Sequence, residues 1–352
     1  MPGRWRRIAI LKPSALGDVA HALPVLSALR MLAPDARISW VINRGYADLV
    51  RNHPDLDEVI PFERGAFKKA AWNAAAETVR FASFLRKKRF DLVIDLQGLL
   101  RTGLMAAATG APVRLGFAAA REGSTAFYTH RVAVPDADRI HAVDRTFHIL
   151  EPLGGAELPK RFAVPIQPEA RAKSIAWLRD VPQPWIAIAP GARWLTKRWP
   201  VRHFAELARL ALDRFGGTVI LVGTPDDTPL SLELAEGLDG RCLDLAGKTT
   251  VGELVAVLDR CAAVISNDTG PLHVAAALGK PCLATYLCTR IDLHGPYPIH
   301  PHTAAVATTV PCAGSYLRSC PHGLRCLNDV SPGRLWPALA GMLDAWASQH
   351  AA

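Results

Sequence analysis

The sequence predicts an α/β protein built from two doubly wound parallel sheets. Short apolar runs rich in β-branched residues, such as Trp185–Ala189, alternate along most of the chain with longer segments of helical periodicity. At 352 residues the chain is long enough for two such domains with full cores. A Pro-rich passage at 158–184 separates the two runs of alternation and predicts a linker.

Each half is then predicted element by element. In the first half, strands are expected at 7–11, 37–42, 59–62, 92–96 and 113–117, and helices at 19–32, 68–88 and 141–153. In the second half, strands are expected at 185–189, 218–222, 263–266 and 282–286, and helices at 201–215, 230–238 and 251–260. The predicted domains are a first domain at 1–157, a linker at 158–184, a second domain at 185–331 and a C-terminal helix at 332–352.

The composition indicates a globular, cytoplasmic protein. No apolar run approaches the ~18 residues of a membrane span, and the basic segment 1–7 is followed only by the short apolar run 8–11, which is too short for a signal-peptide core. Seven cysteines without a secretion signal favour free thiols over a disulfide framework.

The net charge of +9 lies mostly on the first half of the chain. Residues 1–154 contain 22 Lys and Arg against 15 Asp and Glu, whereas residues 155–352 contain 19 against 17. The first domain is therefore expected to bind an anionic partner, either nucleic acid or an anionic lipid surface or phosphorylated glycan. The sequence has no zinc-finger spacing, RNP aromatics or helix-turn-helix signature, which disfavours nucleic acid.

The stretch 266–281, SNDTGPLHVAAALGKP, contains the strongest candidate ligand site. An apolar strand ends in a polar turn at 267–270, and a short helix of small residues follows, with Pro271 at its first position. A turn that leads into a helix N-terminus presents free backbone N–H groups and the positive end of the helix dipole, which suits an anion such as a pyrophosphate. An ordinary capped βα turn is the alternative interpretation of this stretch alone.

The string DTGPLH at 268–273, followed by AAALGKP, resembles the donor-site motif of the lipopolysaccharide heptosyltransferases, glycosyltransferase family 9. Three further segments match that family in the same order, so the resemblance covers residues 6–346. It implies the GT-B fold, in which two Rossmann-like domains face each other across a cleft. It also implies an ADP-heptose donor bound by the second domain, and an acceptor, the Kdo-lipid A inner core, bound by the first.

A second match is the loop SALGD at 14–18, which follows the first strand at the carboxyl edge where open α/β sheets bind ligands. Taken alone, Asp18 is also compatible with a helix N-cap worth about 1 kcal/mol. In the family the matching Ser-x-x-Gly-Asp supplies the catalytic base, so the resemblance implies that role for Asp18. Ser14 and His21 are then expected beside the acceptor, although a satisfied core or surface histidine is equally compatible with His21.

Further donor contacts are expected in the second domain. The loop 191–200 ends in KRWP, which matches the family's Lys-x-Trp-Pro, and the resemblance implies that Lys197 contacts the donor phosphates. A carboxylate beyond a Rossmann strand commonly receives ribose hydroxyls, which makes Asp227 the candidate here. The full set of expected donor residues is Arg193, Thr196, Lys197, Asp227, Thr249, Asp268, Thr269, Gly270 and His273.

Basic residues of the first domain are expected at the anionic acceptor, although any single one is also compatible with an ordinary solvated charge. Two passages, DLQGL at 95–99 and the stretch 120–128, resemble the family members that add the first heptose. The expected acceptor residues are Ser14, His21, Arg64, Lys68 and Arg121.

No cofactor or metal is expected. The group Cys312, Cys320, His322 and Cys326 lacks the paired C-x2-C spacing of structural zinc sites, and no Asp-x-Asp metal motif is present.

One departure from the family concerns the loop after the strand at 282–286. The family usually reads Gly-Pro-Thr-Asp there, whereas this chain has LCTRID at 287–292, so the sequence leaves the donor sugar open.

The resemblance implies a metal-independent, inverting lipopolysaccharide heptosyltransferase, of the kind that adds the first heptose, which transiently contacts the cytoplasmic face of the inner membrane. Within the family, the alternatives are addition of the second heptose or transfer of another sugar. In a different class, the alternative is a non-catalytic protein that binds a nucleotide sugar or a polyanion. The presence of both Asp18 and Lys197 disfavours that alternative.

Overall fold

A computed structural model describes residues 5–63, 71–297 and 301–350 of the chain. The chain divides into two compact units, Met1–Pro165 and Ile166–Ala352. The boundary between them falls inside the Pro-rich segment 158–184. Each unit contains one six-stranded sheet, and the paired strands run parallel in both.

The first unit has the strand order of a Rossmann fold. Its elements are β1 Arg7–Leu11, α1 Leu16–Leu32, β2 Arg37–Asn43, β3 Glu58–Phe62, α2 Ala71–Lys87, β4 Leu92–Asp95, α3 Leu100–Thr109, β5 Val113–Phe117, β6 His130–Val132 and α4 Ala142–Phe147. The sheet order is β3-β2-β1-β4-β5-β6. Because the order reverses between β1 and β4, the carboxyl ends of these two strands are the expected ligand site of this unit.

The second unit repeats the same topology. Its elements are α5 Pro168–Leu178, β7 Trp185–Ala189, α6 Val201–Phe215, β8 Thr218–Leu221, α7 Thr228–Glu236, β9 Cys242–Asp244, α8 Val251–Arg260, β10 Ala263–Asn267, α9 Gly270–Ala277, β11 Cys282–Tyr286, α10 Ile291–His294, β12 Thr303–Ala307, α11 Cys326–Asp329 and α12 Pro332–His350. The sheet order is β12-β11-β10-β7-β8-β9, so the reversal lies between β7 and β10.

Most of the predicted elements are present. Helices α3, α10 and α11 were not predicted, and the helix expected at 141–153 is α-helical only over Ala142–Phe147. Two further differences concern the start of α1 and three edge strands. Helix α1 begins at Leu16, three residues before the predicted start, which makes Asp18 the third residue of the helix rather than its N-cap. Strands β6, β9 and β12 are absent from the sequence prediction. They have three to five residues each and are only partly buried, so they lack the continuous apolar run that marks the central strands.

The helices of the first unit differ in how deeply they are buried. Helix α1 is buried along most of its length and packs against α4. Helices α2 and α3 pack on each other and contribute Leu85 and Met105 to a core cluster on the sheet, while their outer sides are exposed. Within the described ranges, no helix has both the length and the apolar character that a membrane crossing requires.

The core of the second unit extends into its last helices. Helix α12 packs along α6. The fully buried Trp199 stands edge-on to Phe204, with 4.8 Å between ring centroids, and its indole N–H donates to the carbonyl oxygen of Val330 at 2.6 Å. The loop that contains Lys197 is therefore held by a chain segment 131 residues further on.

Candidate active site

The site in the second unit is built around Asn267, the last residue of β10. Its amide nitrogen donates to the carbonyl of Pro190 at 2.8 Å, just beyond β7. Its amide oxygen accepts from the backbone N–H of Trp199 at 2.9 Å and from the Thr285 hydroxyl at 3.0 Å. Asn267 is fully buried, so these bonds form away from water and fix both ends of the loop 190–199 at the switch point.

Asn267 was not among the expected site residues, although it lies inside the motif that predicts the site. The signal that could have found it is an amide side chain at the end of a strand that is otherwise apolar. Such a residue must satisfy its donors and its acceptor inside the protein. In this chain it does so by joining two neighbouring loops.

Lys197, Asp268 and His273 meet at this loop. The Lys197 ammonium lies 2.6 Å from Oδ2 of Asp268 and 3.3 Å from its carbonyl oxygen, and His273 Nε2 lies 3.2 Å from Oδ1. Burial disfavours a charge on Asp268, but the hydrogen bond and charge of His273 and the Lys197 ammonium outweigh it. The pKa of Asp268 is therefore held well below its ordinary value, and the carboxylate stays ionised.

The turn that follows leads into an uncapped helix. Thr269 occupies the N-cap position of α9, but its side chain makes no capping hydrogen bond. Its hydroxyl instead lies 2.9 Å from the hydroxyl of Ser266. Pro271 has no backbone N–H group, so the Thr269 side chain leaves the N–H groups of Gly270 and Leu272 uncapped at the positive end of the helix dipole, where an anion can bind.

Thr196 and Arg193 lie in the same loop but differ in their surroundings. Thr196 is buried and donates its hydroxyl to the carbonyl of Leu317 at 2.7 Å, so this side chain joins the loop to the segment 312–320. Arg193 is exposed. Of these two expected donor residues, the structure gives Thr196 a partner within the protein and leaves the Arg193 side chain in contact with solvent.

Asp227 and Thr249 follow the neighbouring strands β8 and β9. The Asp227 carboxylate accepts from the backbone N–H and the hydroxyl of Thr224, at 2.9 and 2.7 Å. It also lies against Gly191, where an added Cβ would stand 2.0 Å from its Oδ1, so any larger residue there would force the Asp227 carboxylate to move. Thr249 is half-buried and directly precedes Thr250, the N-cap of α8.

Asp18 lies in the first turn of α1, at the carboxyl edge of β1. Its side chain is exposed, and Oδ2 accepts the backbone N–H of Ala15, the N-cap residue, at 3.1 Å. One carboxylate oxygen is thus used to orient the side chain, and the other has no hydrogen-bond donor among the described residues. Such an arrangement presents an oriented, solvent-accessible proton acceptor.

A buried carboxylate supports the neighbouring strand end. Asp95, the last residue of β4, accepts from the backbone N–H groups of Gln97 and Gly98 at 2.9 and 3.1 Å and from the Tyr128 hydroxyl at 2.7 Å. Burial raises the pKa of Asp95, and these donors oppose the shift. The turn they shape brings the Gln97 amide oxygen to 3.4 Å from the backbone N–H of Ser14. Gln97 belongs to the DLQGL passage at 95–99, but it was not among the expected site residues.

The remaining expected acceptor residues lie in different surroundings. Arg121 is exposed, and its backbone N–H donates to the carbonyl of Gly98 at 2.9 Å, which places it beside the Gln97 turn. His21 is buried, with its ring centroid 5.6 Å from that of His141. Arg64 and Lys68 lie outside the described residues.

The cysteines of the second unit are free thiols, Cys312, Cys320 and Cys326 included. Burial raises the pKa of Cys326, and the neighbouring Cys312 and Cys320 add to that shift. Across the described residues, no three His, Cys, Asp or Glu side chains are grouped so as to hold a metal ion.

Comparisons with known proteins agree with this architecture. The chain is 31% identical over 327 residues to lipopolysaccharide heptosyltransferase 1 of Pseudomonas aeruginosa, a match that covers 89% of this chain and 87% of that protein. It superimposes with a TM-score of 0.84 on a glycosyl transferase family 9 protein from Veillonella parvula, which is 25% identical, over 96% of this chain and 97% of that one.

A solved relative contains a nucleotide. The Escherichia coli heptosyltransferase WaaC with ADP is 25% identical and superimposes with a TM-score of 0.73 over 96% of this chain and 99% of that chain. The same enzyme is also solved with ADP-2-deoxy-2-fluoro heptose. These neighbours have the GT-B fold that the sequence predicts. The sequence model of the family described as glycosyltransferase family 9 (heptosyltransferase) matches residues 78–323. Because this match covers more than half of the chain, the chain belongs to that family of glycosyltransferases.

Proposed function

We propose that this protein transfers heptose from ADP-heptose to the Kdo-lipid A inner core of lipopolysaccharide, with inversion at the anomeric carbon. One observation carries the proposal: Lys197, Asp268 and the uncapped N-terminus of α9 meet at the switch point of the second sheet. That combination of an ammonium with free N–H groups suits a pyrophosphate. The ADP-bound relative and the names of the sequence relatives support the same donor.

In this proposal the donor is bound entirely by the second unit. The pyrophosphate lies at the first turn of α9, where Gly270 offers no side chain to obstruct it, and Lys197 contacts it from the side. Asp268 and His273 orient the ammonium. Asp227 receives ribose hydroxyls, while Arg193, Thr196, Thr269 and Thr249 complete the donor residues.

The chemical step then needs a base on the acceptor side. An acceptor hydroxyl attacks the anomeric carbon of the heptose as the bond from that carbon to the phosphate oxygen breaks. Asp18 takes the hydroxyl proton as the new bond forms. ADP leaves with the electrons of the broken bond, and the charge that develops on it is stabilised by Lys197 and the N–H groups of α9. These groups supply the stabilisation without a metal ion.

The acceptor is proposed to bind at the switch point of the first unit. Ser14 and Arg121 both adjoin the Gln97 turn at the carboxyl edge of β4, and Asp18 follows Ser14 in the chain. The proposal extends to His21, Arg64 and Lys68 as the other acceptor residues. The positive charge of this half of the chain suits the acidic Kdo and the phosphates of lipid A.

We also propose that the outer side of α2 and α3 contacts the anionic surface of the inner membrane from the cytoplasm. Val79 and Phe84 on α2 are 68% and 41% exposed, and Leu100 and Leu104 on α3 are 43% and 50% exposed. The two helices adjoin, since the Arg86 guanidinium lies against Gly110 at the end of α3. Exposed cations accompany the apolar side chains: Arg80, Arg86, Lys87 and Arg101. Apolar and basic side chains on one helical surface are typical of interfacial binding to anionic lipid.

The test is a set of reactions with purified protein. ADP-, UDP- and GDP-sugars are first compared for binding, and ADP-heptose is then incubated with Kdo-lipid A. We expect preferential binding of the ADP-sugar, and release of ADP only when both substrates are present. Turnover only with an acceptor that already carries one heptose would indicate a second-heptose transferase. Binding without any release of ADP would indicate a non-catalytic protein and would overturn the proposal.

A further inference from the structure

The positive charge of Lys197 is already balanced before any ligand binds. Its ammonium lies 2.6 Å from the Asp268 carboxylate, and the two side chains are only 19% and 6% exposed. The pair therefore carries no net charge, whereas a diphosphate gains negative charge as its bond to the sugar breaks. A further cation close by would add to the stabilisation that Lys197 and the N–H groups of α9 give to this charge.

Arg318 is such a cation. Its guanidinium carbon lies 5.1 Å from the centroid of the Trp194 ring, and the Lys197 ammonium lies 5.2 Å from the same centroid. Both distances fall within the range of cation–π contacts. The Arg318 side chain is exposed, and no carboxylate in the described ranges lies within 4 Å of its guanidinium. Its charge is therefore available to a ligand next to Lys197.

The segment that contains Arg318 is fixed to the site by backbone contacts. The carbonyl of Leu317 accepts the Thr196 hydroxyl, one residue before Lys197, at 2.7 Å. The backbone N–H of Tyr316 donates to the carbonyl of Cys288 at 2.8 Å. Tyr316 has a φ of 56°, a left-handed conformation that a non-glycine residue keeps only where its surroundings enforce it. Arg318 is thus presented from a defined backbone.

We propose that Arg318 and Lys197, both in contact with the Trp194 ring, bind the donor diphosphate together. Of these two residues, Arg318 can bind the diphosphate bidentately, because its planar guanidinium matches two phosphate oxygens. The contact with the Trp194 ring restrains the guanidinium before the ligand arrives. The inference rests on the proposed nucleotide-diphosphate donor and adds to it a phosphate-binding residue that lies outside the motifs recognised in the sequence.

The test compares ADP with AMP by isothermal titration calorimetry on the full chain. Arg318→Gln should weaken ADP binding about tenfold or more, because charge-assisted hydrogen bonds to phosphate are lost. It should change AMP binding by less than about twofold, since AMP lacks the second phosphate. Arg318→Lys keeps the charge but not the bidentate geometry, so its affinity for ADP should lie between those of the wild type and Arg318→Gln.

Arg325→Gln is the matched control, since Arg325 is another exposed arginine of the same segment, at the N-terminus of α11. It should bind both nucleotides as the wild type does. If Arg318→Gln binds ADP as tightly as the wild type, the role of Arg318 is excluded while the proposed donor stands. An equal loss of affinity for ADP and AMP in Arg318→Gln would also exclude the role of Arg318, because it would indicate a general structural effect of the substitution. A wild-type protein with no affinity for ADP would overturn both proposals.

Discussion

Lys197 and Asp268 form an ion pair that joins two loops 71 residues apart in the sequence. Each loop follows one of the two central strands, β7 and β10, so the pair closes the edge of the sheet at which the strand order reverses. Both side chains are largely removed from water. Removing either partner therefore leaves a poorly hydrated charge that has lost its closest counter-charge.

The first prediction concerns Asp268→Asn. Loss of a buried ion-pair partner should lower the free energy of unfolding by about 3 kcal/mol at pH 7. Because the pKa of Asp268 is lowered in the folded state, its contribution is present above the ordinary value of 3.8 and declines as the pH falls below it. The stability difference between wild type and variant, measured by urea unfolding, should therefore narrow below that pH.

A surface pair of similar geometry provides the control. Arg214 and Asp344 lie 2.9 Å apart on α6 and α12, and both side chains are about half exposed. Asp344→Asn should lower the free energy of unfolding by less than about 1 kcal/mol. Equal losses from the two variants would contradict the importance assigned to burial at Asp268.

The second prediction concerns Asp18→Asn. Asn can still accept the Ala15 N–H, so the helix start and the melting temperature should change little. It cannot take a proton, so kcat should fall by at least about 100-fold while ADP binding stays normal. The control is Asp35→Asn, an exposed carboxylate between α1 and β2, which should leave kcat unchanged. Near-native kcat in Asp18→Asn would remove Asp18 from the proposed mechanism.

The third prediction concerns metal removal. Lys197 and the N–H groups of α9 provide positive charge and hydrogen bonds for the leaving group, so transfer should continue after dialysis against EDTA. Initial rates before and after dialysis give the measurement. Complete loss of activity, restored by Mg²⁺ or Mn²⁺, would contradict the proposed stabilisation of ADP.

The fourth prediction concerns ionic strength. If the basic first half of the chain attracts the acceptor, acceptor KM should rise steeply as salt increases from low to physiological concentration. Donor KM should change less, because the Lys197–Asp268 pair is largely shielded from solvent. Equal salt sensitivity of the two KM values would count against charge-driven capture of the acceptor.

The fifth prediction concerns vesicles without any acceptor. The protein should co-sediment with phosphatidylcholine vesicles that contain phosphatidylglycerol, and much less with phosphatidylcholine alone. Leu104→Glu should weaken this binding. The control is Leu232→Glu on α7 of the second unit, where the leucine has a similar exposure of 55%. This variant should bind the vesicles as the wild type does. If both variants bind like wild type, the outer side of α2 and α3 is not the contact surface.

The sequence predicts the central strands well because they are continuous apolar runs between helices of clear periodicity. It also places Asp268 and Lys197 in the loops that follow two strands, and topology brings those loops to one edge of the sheet. It cannot show that these two side chains pair with each other, because the pairing depends on how two loops turn. The same holds for Gln97 and Arg318, whose relevant neighbours, Ser14 and Trp194, are more than 80 residues away in the sequence.

The hydrogen bond from Trp199 to Val330 has a consequence for the order of folding. The donor loop is not a local structure, since its buried anchor becomes available only when a chain segment of 131 residues has been closed into a loop. Closing so long a loop costs more conformational entropy than forming the local contacts of a single βα unit, so we expect this bond to form later in folding. The sheet of the second unit can thus assemble before the loop that contains Lys197 is fixed, so nucleotide affinity should be among the last properties that a refolding chain recovers.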